Sequence, residues 1–155
     1  RQLLKSELVQ LEIFGENLYA IHSIEYLELE QHFFVFAIRE LDQWLSWEEV
    51  KFYAALLDFP TVPEIALAQT ATNEIFEQDV LNITQQPSAF RSIDVHSREA
   101  CAMEGIVSRN CNAFAVEDFK SHVFKYVRKD HVRTDEHWTR KWKRAALKWE
   151  KSCGQ

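Results

Sequence analysis

The sequence predicts a mainly α-helical chain of two small helical units, and it leaves open a short N-terminal β-hairpin. Three observations carry that expectation. Apolar residues recur at three- and four-residue intervals through most of the chain, as on one face of a helix. Two capping boxes, Ser46-x-x-Glu49 and Thr61-x-x-Glu64, stand at the start of such stretches. The charge also changes sign across a polar, proline-containing segment near the middle.

Element by element, the first 25 residues allow two readings. Val9, Leu11 and Ile13 alternate with polar residues, Gly15-Glu16-Asn17 suits a turn, and Tyr19 and Ile21 alternate again, which describes a hairpin. Leu4, Leu8 and Leu11 also fit a helix face ending at Gly15. The hairpin is the preferred reading. From Leu27 the spacing of Leu29, Phe33, Phe36 or Ala37, Leu41 and Trp44 predicts a helix. Ser46 opens the next, with Trp47, Val50, Ala54 and Leu57 on one face and Pro60 as its stop. Thr61 opens a third, with Pro63 in its first turn, running to about Leu81. Three more are expected beyond the middle: 98–107 behind Ser97, 116–129 with Val116, Phe119 and Val123 inward, and a last one from Thr134 to Lys151.

Composition bounds the function. A chain of 155 residues with 46% hydrophobic content can bury a core, and three Gly and three Pro exclude collagen-like and low-complexity chains. The longest apolar run, Phe33 to Ile38, falls far short of the ~20 residues of a membrane span. Three cysteines argue against a disulfide framework and for a reducing, cytoplasmic setting. The sequence opens on Arg1, so the lack of a signal segment carries little weight. With three scattered glycines there is no phosphate-cradling loop of the usual kinds, and no Gly-x-Ser-x-Gly or His-Glu-x-x-His occurs. Cys101 and Cys111, and His131 and His137, lack the spacing of paired metal ligands. The expectation is a protein that is not an enzyme, with no catalytic residue, no metal and no cofactor.

The net charge of −6 hides a split. Residues 1–90 carry four Lys/Arg against fifteen Asp/Glu, a net of −11, and residues 91–155 carry fourteen against nine, a net of +5. This suggests an acidic interaction domain over 1–81, a linker over 82–95 and a basic three-helix domain over 96–155. The acids can meet a basic partner or fold back on the basic half. Phe33, Phe34, Phe36, Trp44, Trp47, Phe52 and Tyr53 are many aromatics for one helical layer, so self-association through the N-terminal half is expected.

In the last predicted helix Trp138, Trp142, Ala145 and Trp149 form one stripe, and Lys141, Arg144, Lys148 and Lys151 form a second beside it. Most of the indoles are expected in the core, which leaves the cations as the candidate surface. Lys125, Arg128 and Lys129 lie opposite the apolar face of the preceding helix, and Arg133 follows in the loop. Cations in such a row attract a nucleic-acid backbone and release its counterions. The candidate nucleic-acid contacts are therefore Lys125, Arg128, Lys129, Arg133, Lys141, Arg144 and Lys148.

Residues 97–149 resemble the C-terminal single-strand-binding domain of the primosomal protein DnaT and its phage-replication relatives. The features are Ala100, Ala102 and Gly105, then Glu117, Asp118, Phe119, Ser121 and Tyr126, then Trp138, Lys141, Trp142, Ala145 and Leu147. Lys141 matches the lysine that the family sets against single-stranded DNA. Tyr126 stands in the family's Trp position, Lys125 in its Tyr position and His122 in place of a Phe. The resemblance implies a replication accessory factor that grips single-stranded DNA through its basic C-terminal helices. The alternatives are a protein–protein adaptor and a double-strand-binding regulator, since three short helices ending in a basic one also describe a helix-turn-helix.

Overall fold

The computed structural model describes residues 10–65, 72–128 and 143–152. It corrects the expected fold class: of the described residues 28% are helical and 35% strand, with several antiparallel sheets and short helices. The strands are β1 (Leu11–Asn17), β2 (Ala20–Ile21), β3 (Ile24–Tyr26), β4 (Phe33–Glu40), β5 (Gln43–Trp44), β6 (Ser92–Asp94), β7 (Gly105–Arg109), β8 (Phe114–Ala115), β9 (Val123–Val127) and β10 (Lys143–Arg144). The helices are α1 (Trp47–Leu56), α2 (Asn73–Thr84), α3 (Phe119–His122) and α4 (Lys148–Ser152), with a 3₁₀ turn over Val116–Asp118. They form two compact units, each assembled from separate stretches of chain.

The first unit comprises 1–16, 33–62 and 108–124. Its sheet has the order β1-β4-β5-β8, with Arg39 opposite Trp44 and Trp44 opposite Phe114 in antiparallel ladders. The stretch from Leu27 to Trp44, expected to be helical, holds β4 and β5 instead. The reason lies in Phe33–Ile38, where Phe34, Val35, Ala37 and Ile38 are all buried. A strand covered on both faces reads as an unbroken apolar run, which three- and four-residue spacings also fit. Aromatic and β-branched residues favour the extended form. Val35, Ile38 and Leu45 pack with Trp47, Val50 and Ala54 of α1, and Ala37, Trp44 and Phe114 form a second cluster with Phe14, Val116 and Val123.

Helix α1 begins where the capping box placed it. Ser46 N donates to Glu49 Oε2 at 2.8 Å, and Glu49 N donates to Ser46 Oγ at 3.4 Å. The hydrogen bond from the Ser46 hydroxyl, followed by that from its backbone N–H, holds the Glu49 carboxyl below its ordinary pKa. The second box fails. Thr61 forms a parallel bridge with Val35, and α2 starts later, with Ile75 N donating to Thr72 Oγ1 at 3.3 Å. The strand expected at the start of the hairpin is β1, but Gly15 is not in its turn. β1 continues to Asn17 and pairs with β4, while β2 pairs with β10. A Cβ at Gly15 would sit 2.3 Å from the Phe33 ring, so the ring occupies the space a side chain would need.

Arg109 fastens the unit. Its guanidinium lies over the Trp47 and Phe114 rings at 5.9 and 5.6 Å, and Nη2 donates to Leu45 O at 2.8 Å. Burial draws its pKa down.

The second unit comprises 17–32, 63–107 and 125–155. β3 and β6 pair antiparallel, with Tyr26 opposite Ser92. Ile24, Leu29, Val80, Thr84, Ser92 and Ala145 are buried. The end of the chain is tied to its beginning: Ala145 N donates to Tyr19 O at 2.8 Å, Lys148 N to Leu29 O at 2.7 Å and His32 Nε2 to Ala145 O at 2.9 Å. The three expected C-terminal helices are corrected as well. Residues 98–107 hold no helix and end in β7, 116–129 hold the 3₁₀ turn, α3 and β9, and the described part of 134–151 holds β10 and α4. Of the three indoles in the stripe, most of them expected in the core, Trp149 is 59% exposed, and Trp138 and Trp142 lie outside the described residues.

Two stability outcomes follow. Ser46→Ala is expected to cost about 1 kcal/mol by removing the cap, read from denaturant midpoints. Because the folded Glu49 pKa is lowered, its contribution is full above the unfolded value and disappears as pH falls through the folded one. The gap between the wild type and Ser46→Ala should therefore close in acid; a gap unchanged to below the carboxylate range contradicts the capping geometry. Gly105→Ala would place its Cβ 2.3 Å from Tyr126 O, against backbone that cannot swing aside. That substitution should cost about 1–3 kcal/mol, and a melting temperature equal to wild type would contradict the close approach of β7 and β9.

Candidate functional site

Strands β7 and β9 form a two-stranded ladder. Arg128 N donates to Glu104 O and Asn110 N to His122 O, each at 2.9 Å. That antiparallel register places Gly105 opposite Val127 and Val107 opposite Lys125. Gly105 lets the two backbones approach, since any Cβ there would meet β9. The lack of a side chain thus sets the position of its neighbour Glu104.

Within the second unit this end of the ladder meets β3. Tyr26 OH lies 3.5 Å from Glu104 Oε2, at the outer limit of a hydrogen bond, and its ring meets Phe90 edge-on at 5.9 Å. Lys125 lies three residue steps along the ladder from the Glu104–Arg128 pair, roughly 10 Å. Its side chain is exposed and has no acidic partner among the described residues. The arrangement offers a cation able to meet a phosphate. It also offers a carboxylate and a phenol able to hydrogen-bond sugar hydroxyls.

The seven cations singled out from the sequence do not form one ridge. Lys125 and Arg128 belong to the β7–β9 ladder. Arg144 on β10 is committed to Glu150, with Nη1 and Nη2 donating at 3.0 and 2.7 Å. That pair raises the Arg144 pKa and lowers that of Glu150. Lys148 Nζ lies 3.9 Å from Glu28, which also receives Arg91 at 3.1 Å. Lys129, Arg133 and Lys141 lie outside the described residues. The acids of the front half thus partly fold back on the basic half: Glu25 pairs with Arg98 at 2.6 Å, and Glu28 pairs with Arg91 and Lys148.

Glu104, Gly105 and Tyr26 escaped the sequence reading. A signal was present: Glu104-Gly105 precedes the β-branched pair Ile106-Val107, a strand opening that also fits the end of the helix expected over 98–107. No group of three His, Cys, Asp or Glu side chains able to hold a metal occurs among the described residues. None of the helices in those residues is long and apolar enough to cross a membrane.

The profile of the RNA ligase family matches residues 1–127. No individual curated protein and no solved structure matches the chain. The family match spans the strands β1 to β9 and overturns the resemblance to the DnaT single-strand-binding domain. It also overturns the reading of a DNA-binding accessory protein, together with the expectation of a non-enzyme, and lends no support to an adaptor or a duplex-binding regulator. A match over most of its length establishes that the chain belongs to the RNA ligase family.

Proposed function

We propose that the chain contributes the phosphate-holding surface of an RNA-joining enzyme, with Lys125 set to meet a phosphate at an RNA end. The observation that carries the reading is the exposed Lys125 on a paired strand, with no acidic partner among the described residues, in a chain of the RNA ligase family.

The chemistry of joining asks for such a group. A phosphodiester forms when a ribose hydroxyl attacks a phosphorus atom that carries a good leaving group. The negative phosphate oxygens repel the lone pair of the incoming hydroxyl oxygen, so cations that neutralise them lower the barrier, and positioning supplies much of the rest. A lysine ammonium is a compact charge with three donors, suited to a phosphate whose oxygens turn during the reaction. Strand β9 holds its backbone in place, and Glu104 with Tyr26, roughly 10 Å along the ladder, offers contacts for ribose hydroxyls. Arg144 and Lys148 are less suited, since their charge is already shared with Glu150 and Glu28.

The test compares one short RNA with a 5′-phosphate and with a 5′-hydroxyl, by fluorescence anisotropy over a range of salt. The chain should prefer the phosphorylated end, and Lys125→Ala should abolish the preference. Arg144→Ala should keep it. A chain that binds both ends equally, or a preference that survives in Lys125→Ala, would sink the proposal.

A further inference from the structure

Asn110 follows β7 in the first unit, and its side chain meets two groups at once. Oδ1 accepts from Asn112 N at 2.9 Å and closes the turn that leads into β8. A backbone N–H can only donate, so this bond fixes which way the amide points. Asn110 Nδ2 therefore faces His122 Nδ1 at 3.2 Å, and Nδ1 is the acceptor. The imidazole is thus the neutral tautomer with its proton on Nε2. Its place is set by a stack on the buried Phe114 ring at 4.8 Å and by Asn110 N, which donates to His122 O at 2.9 Å.

A proton on Nδ1 reverses this logic. Two donors, Nδ1–H and the amide NH₂, would face each other. The ring is held by its stack, whereas the amide needs only a half turn about its last bond. After that turn Oδ1 accepts from the imidazolium, in a charge-assisted bond roughly twice as strong as a neutral one. Asn112 N then loses its acceptor. The elements packed against α3 supply few other charges. Glu117 and Asp118 lie in the 3₁₀ turn, Lys120 is on α3 itself, and β8 has none. The Arg109 guanidinium lies over the same Phe114 ring at 5.6 Å, and the exposed Cys111 thiol sits in the turn. None of these groups is bonded to the imidazole among the described residues.

We propose that the Asn110 amide is a proton-operated switch whose oxygen serves Asn112 while His122 is neutral and His122 once it is protonated. The device lies outside the phosphate-holding surface and does not depend on it. Its output is the turn 110–112. Cys111 O, in the middle of that turn, accepts from Trp47 N at 2.8 Å, one of the first N–H groups of α1, which have no partner within the helix. Releasing Asn112 therefore loosens the carbonyl on which the start of α1 rests.

The test is nitrogen-15 NMR of the whole chain between pH 8 and 5, the range in which imidazoles change charge. At pH 8 the ring nitrogens of His122 should report the Nε2–H tautomer. On acidification the Asn112 amide should shift with the same midpoint as the His122 ring. Its exchange protection, corrected for the intrinsic rate, should fall by about 2- to 12-fold, the net worth of one hydrogen bond. The Trp47 amide should move with it. Asn110→Asp offers two oxygens and can serve both donors, so Asn112 should stay protected throughout. His122→Phe keeps a ring on Phe114 without a titrating group, and the Asn112 response should vanish. A Nδ1–H tautomer at pH 8, an Asn112 amide that stays still while His122 titrates, or an undiminished response in Asn110→Asp overturns the switch. A Trp47 amide that stays still while Asn112 moves overturns its link to α1.

Discussion

The run Phe33–Ile38 must leave water on both of its sides, and the first unit is arranged to achieve that. α1 covers Val35 and Ile38 from one cluster, while Trp44, Phe114, Val116 and Val123 gather around Ala37 in another. Each fully buried aliphatic or aromatic side chain contributes about 1.5–3 kcal/mol, so this strand outweighs any single hydrogen bond in the unit. Its consequences reach the end of the unit. To cover β4, the segment 108–124 must return to the sheet through β8 and α3, and that return fixes where β9 begins. Arg109 secures the same return by holding Leu45 O at 2.8 Å beneath the rings it stacks on.

In the second unit the organising force is electrostatic as well as apolar. Glu25 and Glu28 meet Arg91, Arg98 and Lys148, while backbone bonds lash α4 and the residues before it to 19–29. These pairs are solvent-exposed, so each adds little by itself. Their value here is selective: they occupy cations that an unfolded chain would leave open to any polyanion. Lys120 and Lys125 have no acidic partner among the described residues, and a basic half that looked uniform in sequence divides into paired and unpaired cations.

The sequence was most informative where a local chemical device acts alone. Ser46 and Glu49 complete each other within four residues, and α1 starts there. The alternation at Leu11 and Ile13 marked a strand. It misled about Gly15 because the Phe33 ring that fills the glycine's space comes from a distant residue. Periodicity failed where burial is two-sided, as in β4. In 116–129 it identified two of the inward residues while missing their conformation: Val116 and Val123 do pack on the core, from a 3₁₀ turn and from a strand rather than from one helix, whereas Phe119 is exposed. Of the candidate site, Lys125 and Arg128 were visible as cations. Their separation from Arg144 and Lys148 was not, since that depends on which acids fold back. Glu104 and Tyr26 are far apart in sequence and meet only through tertiary structure.

The most direct measurement is a two-dimensional NMR titration of the isotopically labelled chain with a short 5′-phosphorylated RNA. The amides of Lys125, Gly105 and their ladder neighbours should shift first and saturate together, with those of Arg144 and Lys148 nearly still. Shifts centred on Arg144 and Lys148, with the β7–β9 ladder silent, would contradict the assignment of the phosphate-holding surface.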